Sequence, residues 1–100
     1  MVLSDATVAG NSSTLGYSVF RPGLVTADLS HAVEELAFVI QGSGSLRLDS
    51  GRVAVASGQA VIIPARVWHT VVNEGDEDLV MVFSFPSPNY PPTERREARR

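Results

Sequence analysis

From Leu24 to His31 apolar and polar residues alternate: Val25, Ala27 and Leu29 are apolar, and Thr26, Asp28 and Ser30 are polar. Side chains on a strand alternate between its two faces. The pattern therefore predicts a strand with Val25, Ala27, Leu29 and His31 on an inner face and Asp28 on the outer one. His31 continues an apolar row into the interior. The rest of the chain also reads as short strands, because runs of Val, Ile, Leu and Phe are cut at regular short intervals by turn residues. Tyr17–Arg21 is closed by Pro22-Gly23, and Leu36–Ile40 by Gly42-Ser43-Gly44. Asp49-Ser50-Gly51 lies between Leu46–Leu48 and Val53–Val55 and signals a hairpin. Pro64 ends Ala60–Ile63, and Asn73-Glu74-Gly75-Asp76 separates Thr70–Val72 from Leu79–Phe85. Pro86, Pro88, Pro91 and Pro92 then end the sheet. Residues 93–100 are expected to form one helical turn capped by Thr93, or nothing regular. No segment carries a helical period, so the fold class is all-β, a sandwich or barrel.

The strand from Glu35 to Gln41 adds an expectation about assembly. With Glu35 turned inward, Leu36, Phe38 and Ile40 fall on the opposite face. That apolar face needs a cover from another sheet or another chain, and a homodimer is expected.

Composition narrows the possibilities further. One hundred residues suffice for one domain and a core of its own. There is no cysteine, which excludes disulfides, thiolate metal ligands and a cysteine nucleophile. The net charge is −3. All basic residues are arginines, and Arg95, Arg96, Arg99 and Arg100 crowd the C-terminus. The body is therefore acidic, and no nucleic-acid footprint is expected on it. The basic tail reads as a solvated or frayed end. No apolar run is long enough to span a membrane and no signal peptide is apparent, so a cytoplasmic protein is expected.

The candidate chemistry rests on three side chains. His31 points inward, Glu35 opens an otherwise apolar strand four residues later, and His69 follows Pro64 beside Trp68. A carboxylate at the head of a buried strand is costly unless a positive charge compensates it. Two imidazoles and a carboxylate are a ligand set for Zn, Fe, Mn, Ni or Co rather than Ca. Such a set with open positions suits oxygen chemistry on non-haem iron, or zinc acting on water or a carbonyl. A hydrogen-bonded core histidine is the plainer alternative for a lone inward His.

At this point the chain resembles a known family. Gly23, His31, Glu35 and Gly42 match the first cupin motif, G-x5-H-x-H-x3-E-x6-G, and Gly58, Pro64, His69 and Asn73 match the second, G-x5-P-x-G-x2-H-x3-N. The resemblance implies a double-stranded β-helix, the jelly-roll or cupin barrel, over residues 14–88. An N-terminal arm would span 1–13 and a charged tail 89–100. It also implies a divalent transition metal on His31, Glu35 and His69. Two positions depart from the pattern: Leu29 stands where the first motif has its first histidine, and Arg66 where the second has its glycine. Leu29 would fill the space of the missing ligand. Asp28 and Gln41 are candidate fourth ligands, with Asp28 disfavoured by its outer face. Arg66 is either part of a differently built turn or an anion clamp at the barrel mouth. Tyr17, Trp68 and Gln41 are further candidates for substrate contacts.

The resemblance implies several functions: a metal-dependent enzyme on a small molecule, of the dioxygenase, isomerase or cyclase kind, in a small-molecule or natural-product pathway; a binding module for a sugar or small organic acid that has lost full metal coordination; or a structural subunit.

Overall fold

In the computed structural model, which describes residues 1–97, the chain forms two antiparallel sheets facing each other. Nine strands are present among the described residues: β1 (Thr14–Phe20), β2 (Asp28–His31), β3 (Glu35–Gln41), β4 (Ser43–Leu48), β5 (Gly51–Ala56), β6 (Ala60–Ile63), β7 (His69–Val72), β8 (Leu79–Phe85) and β9 (Thr93–Arg96). One sheet has the order β1-β8-β3-β6 and the other β5-β4-β7-β2-β9. The architecture is the expected all-β double-stranded β-helix. Ala37, Val39, Leu46, Val55, Ile63, Leu79 and Met81 form the core between the sheets. No helix of the described residues is long and apolar enough to cross a membrane.

The alternation on β3 holds as read. Ala37 and Val39 are buried, while Leu36, Phe38 and Ile40 are exposed on the far face. It fails at the strand's end. A bulge between Val39 and Gln41 shifts the register against β8, so Gln41 loses the parity it would share with Glu35. Its amide instead donates to the Asp78 carbonyl, at 3.2 Å.

The segment before His31 also departs from the expectation. Regular pairing begins only at Asp28, and Val25 makes a single isolated bridge to Val72 and is exposed. Thr26 causes the change. Its hydroxyl accepts the Val71 N–H at 2.9 Å while its own N–H donates to the Val71 carbonyl at 3.0 Å, so a side chain takes a place in the ladder. Thr26 consequently faces the interior where Val25 and Ala27 were expected. Leu29 and His31 keep their inward parity. Asp28 faces outward but is fully buried. Thr70 Oγ1 donates to it at 3.2 Å and Arg96 Nε at 2.6 Å.

The C-terminal segment is neither helical nor frayed over the described residues. The prolines confine residues 86–92 to a loop, and the chain then re-enters as β9 along the free edge of β2, with His31 opposite Thr93 and Asp28 opposite Arg96. Residues 98–100, where two of the tail arginines fall, lie outside the described residues.

The turn before His69 places a non-glycine residue in a left-handed conformation. Arg66 has φ +64°, the backbone state that the motif's glycine would take without cost. Arg66 holds this conformation with a Cβ in place, and its N–H donates to the His31 carbonyl at 2.7 Å. Arg66→Gly is expected to raise stability by about 0.5–1 kcal/mol, a gain of several degrees in melting temperature for a domain of this size. A thermal melt that shows no gain would mean that the Arg66 side chain offsets the strain through contacts of its own.

Candidate metal centre

The three candidate ligands come from three strands. His31 ends β2, Glu35 opens β3 and His69 opens β7. β2 and β7 are neighbours in one sheet and β3 lies in the other, so the group bridges the two sheets at one end of the barrel. Each position follows from its strand's alternation. Glu35 shares the inward face of Ala37 and Val39, and His69 that of Val71, while Thr70 between them turns outward to Asp28.

The geometry of the group is tight. His31 Nε2 lies 3.2 Å from Glu35 Oε1, and His69 Nε2 lies 3.6 Å from the same oxygen. All three potential ligand atoms fall within 4.8 Å of one another. Ligands about 2.1 Å from a shared ion stand about 3.4 Å apart at tetrahedral angles, so these separations already fit a bound cation. Both imidazoles are nearly fully buried, and Glu35 is only slightly exposed.

The protonation of His69 strengthens the argument. Its Nδ1 lies 3.0 Å from the Val67 carbonyl oxygen, which can only accept, so Nδ1 carries the hydrogen. Burial lowers the His69 pKa, against the opposing pull of the Val67 hydrogen bond and the Glu35 charge, and so favours the neutral ring. With its hydrogen on Nδ1, His69 turns Nε2 toward the Glu35 carboxylate. A proton or a metal cation between the two satisfies both, and the donor set of two imidazoles and one carboxylate suits a transition metal.

Around this group lies a cavity of about 140 Å3. Its wall is mostly apolar and aromatic, with Phe20, Phe83, Phe85 and Met81 from the strands and Leu29 beside the ligands. Leu29 stands directly opposite His69 in the β2–β7 pairing, so it occupies the cavity next to the candidate ligands.

The other candidate residues are placed elsewhere. Tyr17 is 61% exposed on the outer face of the β1-containing sheet. Arg66 is exposed on its turn. Trp68 is half-buried beneath the Arg96 guanidinium, which sits 4.0 Å from the ring centroid. Gln41 is exposed at the bulge. None of the four lines the cavity, and none of the cavity's residues is an arginine.

Two further residues meet the site, Tyr90, which the sequence did not mark, and Thr93, which was expected only as a helix cap. Tyr90, in the proline-rich loop, lines the cavity and packs edge-on against His31 with ring centroids 5.7 Å apart. Burial pushes its phenol above the ordinary tyrosine range. Thr93 on β9 places Oγ1 2.7 Å from His31 Nδ1. An aromatic residue among four prolines was the available signal for Tyr90. Thr93 was expected as a helix cap, and its contact with His31 was not legible because it depends on β9 reaching β2.

The comparisons with known proteins point one way. A family model described as a cupin domain matches residues 16–85. A protein named polyketide synthase CurC from Streptomyces cyaneus is 31% identical over 83 residues, which is 82% of this chain and 54% of that protein. The chain spans about half the length of the curated relatives it matches. Among solved structures, the plu4264 protein from Photorhabdus luminescens is similar with a TM-score of 0.71 and 28% identity, over 78% of this chain and 67% of that one. An oxalate oxidase in complex with glycolate is similar with a TM-score of 0.80 and 25% identity, over 92% of this chain and 51% of that one.

Proposed function

Because the chain belongs to the cupin family, we propose that it is a metal-dependent enzyme acting on a small molecule inside the barrel. The observation that carries the reading is that His31, Glu35 and His69 each bring a potential ligand atom within 4.8 Å of the others beside an apolar cavity. Those three residues would hold the ion, with Fe, Zn, Mn and Ni as the candidates. When bound, a metal there supplies a Lewis acid for a carbonyl or enolate oxygen, or a centre for oxygen chemistry. The dioxygenase, isomerase and cyclase classes all fit this chemistry. The relative named as a polyketide synthase and the structure named as an oxalate oxidase support a small-molecule enzyme, and the former favours a natural-product setting.

The chain's own residues shape the site in three ways. Glu35 lends one negative charge to offset a divalent ion. The phenylalanines exclude water and hold the apolar body of a substrate. Leu29, where the motif has a histidine, leaves a three-ligand set with room for substrate beside it.

Leu29 also favours a second reading, a binding module for a sugar or small organic acid in which catalysis has been lost. Leu29→His separates the two. For an enzyme, the variant gains an imidazole where the family has one, so metal affinity rises while turnover falls if the reaction needs the open position. For a binding module, metal content stays near zero and ligand binding weakens. Metal stoichiometry, with activity toward candidate small molecules, decides between them. If neither metal nor ligand binding changes, Leu29 does not act in the cavity.

The proposed assembly is a homodimer through the outer face of the β1-β8-β3-β6 sheet. Leu36, Phe38 and Ile40 are each about half exposed there, and Ile62 and Tyr17 extend the same apolar surface across neighbouring strands. The outer face of the other sheet carries Arg47, Arg52, Asp28 and Arg96 instead. Light scattering is expected to report twice the chain mass, and Phe38→Glu to return a folded monomer. A monomer for the unmodified chain at micromolar concentration would contradict the assembly.

A further inference from the structure

We propose that the C-terminal strand β9 is a working part of the metal centre, with Thr93 as the positioning residue that orients His31. The inference rests on the metal reading above, and it concerns a segment beyond the residues 16–85 that the family model matches.

β9 runs antiparallel along β2 and sets Thr93 directly opposite His31. Thr93 Oγ1 then lies 2.7 Å from His31 Nδ1. A hydroxyl has one hydrogen, and the Pro91 carbonyl, which can only accept, lies 2.9 Å from Thr93 Oγ1. With the hydrogen donated there, the oxygen accepts from His31 Nδ1–H, and the Nε2 lone pair faces Glu35 and His69. This arrangement fixes both the tautomer and the ring plane, as outer partners of metal-bound histidines do.

The strand that delivers Thr93 is itself latched. Two further backbone contacts hold its approach: the Ala32 N–H donates to the Pro92 carbonyl at 2.9 Å, and Ser30 pairs with Glu94. On the opposite face Arg96 Nε donates to the fully buried Asp28 at 2.6 Å, and its guanidinium stacks on Trp68. One end of β9 is thus locked to β2 while the other aims a hydroxyl at the ligand. His69 obtains the equivalent orientation from its own turn, through the Val67 carbonyl. His31 ends its strand and has no such local partner, so a distant segment of chain supplies it.

The test uses the full chain in three forms: unmodified, Thr93→Val and Thr93→Ser. Valine keeps the shape and removes the acceptor, whereas serine restores it. Zinc affinity, measured by competition with a chelator, is expected to fall about ten- to a hundredfold in Thr93→Val and to stay near the unmodified value in Thr93→Ser. Nitrogen-15 spectra of the imidazoles, recorded on the metal-free protein above the histidine titration range, are expected to show His31 protonated at Nδ1 in the unmodified chain and in Thr93→Ser. Thr93→Val is expected to lose that preference. Melting temperatures of the metal-free forms separate this from a general loosening of the fold. The proposal is overturned if His31 carries its hydrogen on Nε2 in the unmodified chain. It is equally overturned if Thr93→Val binds zinc as tightly as the unmodified chain, or if Thr93→Ser fails to restore what valine removes. A chain that binds no zinc, yet shows Nδ1–H at His31 that depends on Thr93, would contradict the metal reading and leave the positioning role of Thr93 standing.

Discussion

His69→Ala is expected to abolish stoichiometric metal binding while leaving the barrel folded. The site offers three ligands and no spare: Leu29 fills the fourth position of the motif, and the chain has no histidine beyond His31 and His69. Removing an outer partner of a metal ligand alone costs about ten- to a hundredfold in affinity, so removing the ligand itself should cost more than about a hundredfold. Glu35→Gln should lose metal as well, because it keeps the shape of the side chain and removes the charge that offsets the ion. Metal content by elemental analysis, with circular dichroism as the control for folding, checks both. Full occupancy in His69→Ala would mean that the ligands are elsewhere. The same residue predicts a pH dependence. Burial lowers its pKa from 6.5, so in the metal-free protein the unfolded chain takes up this proton first. Stability should therefore be complete above pH 6.5 and decline as the pH drops below it, until the folded-state value is passed. His69→Ala should flatten that part of the curve.

Arg96→Ala is expected to produce the largest loss of stability. Asp28 is fully buried, and Arg96 Nε contacts Oδ2 at 2.6 Å while Thr70 holds Oδ1. Breaking a buried ion pair costs about 3–5 kcal/mol, because the remaining charge loses its counter-ion. Arg96 itself is nearly half exposed, so solvent screens the pair. An expectation of about 2–3 kcal/mol follows once the lost stacking on Trp68 is included. For a domain of this length that is a drop of roughly 10–20 °C in melting temperature. Arg96→Lys should fall between the two, since it keeps the charge and loses the planar fork. If Asp28→Asn is introduced together with Arg96→Ala, the combined loss should be smaller than the sum of the two. A melting temperature for Arg96→Ala equal to that of the unmodified chain would show that β9 is held by its backbone pairing alone.

Most of the fold was legible because strand alternation and turn residues act locally. The inward row of β3, the hairpin at Asp49-Ser50-Gly51 and the β8 strand all follow from neighbours in sequence. The grouping of His31, Glu35 and His69 was legible for the same reason, since each sits within three residues of a turn or bend and shares parity with an apolar row. What escaped depended on distant partners. Thr26 breaks the alternation before His31 only because Val71 lies opposite. Asp28 reads as a surface residue until β9 brings Arg96 over it. The four prolines do interrupt the sheet, but they also turn the chain back so that Thr93 can meet His31. Arg66 shows a further limit: its residue type argues against a left-handed turn, and the surrounding structure imposes one.

His31, Glu35 and His69 are expected to hold one divalent transition metal. Crystals of protein purified without a histidine tag, combined with elemental analysis of the same sample, decide this. One ion per chain is expected, identified by its anomalous scattering, with the two imidazole nitrogens and a Glu35 oxygen about 2.0–2.2 Å away. Protein that remains metal-free after exposure to Fe, Zn, Mn and Ni in turn, with the two histidines hydrogen-bonded directly to Glu35, would show that the three residues are not a metal site.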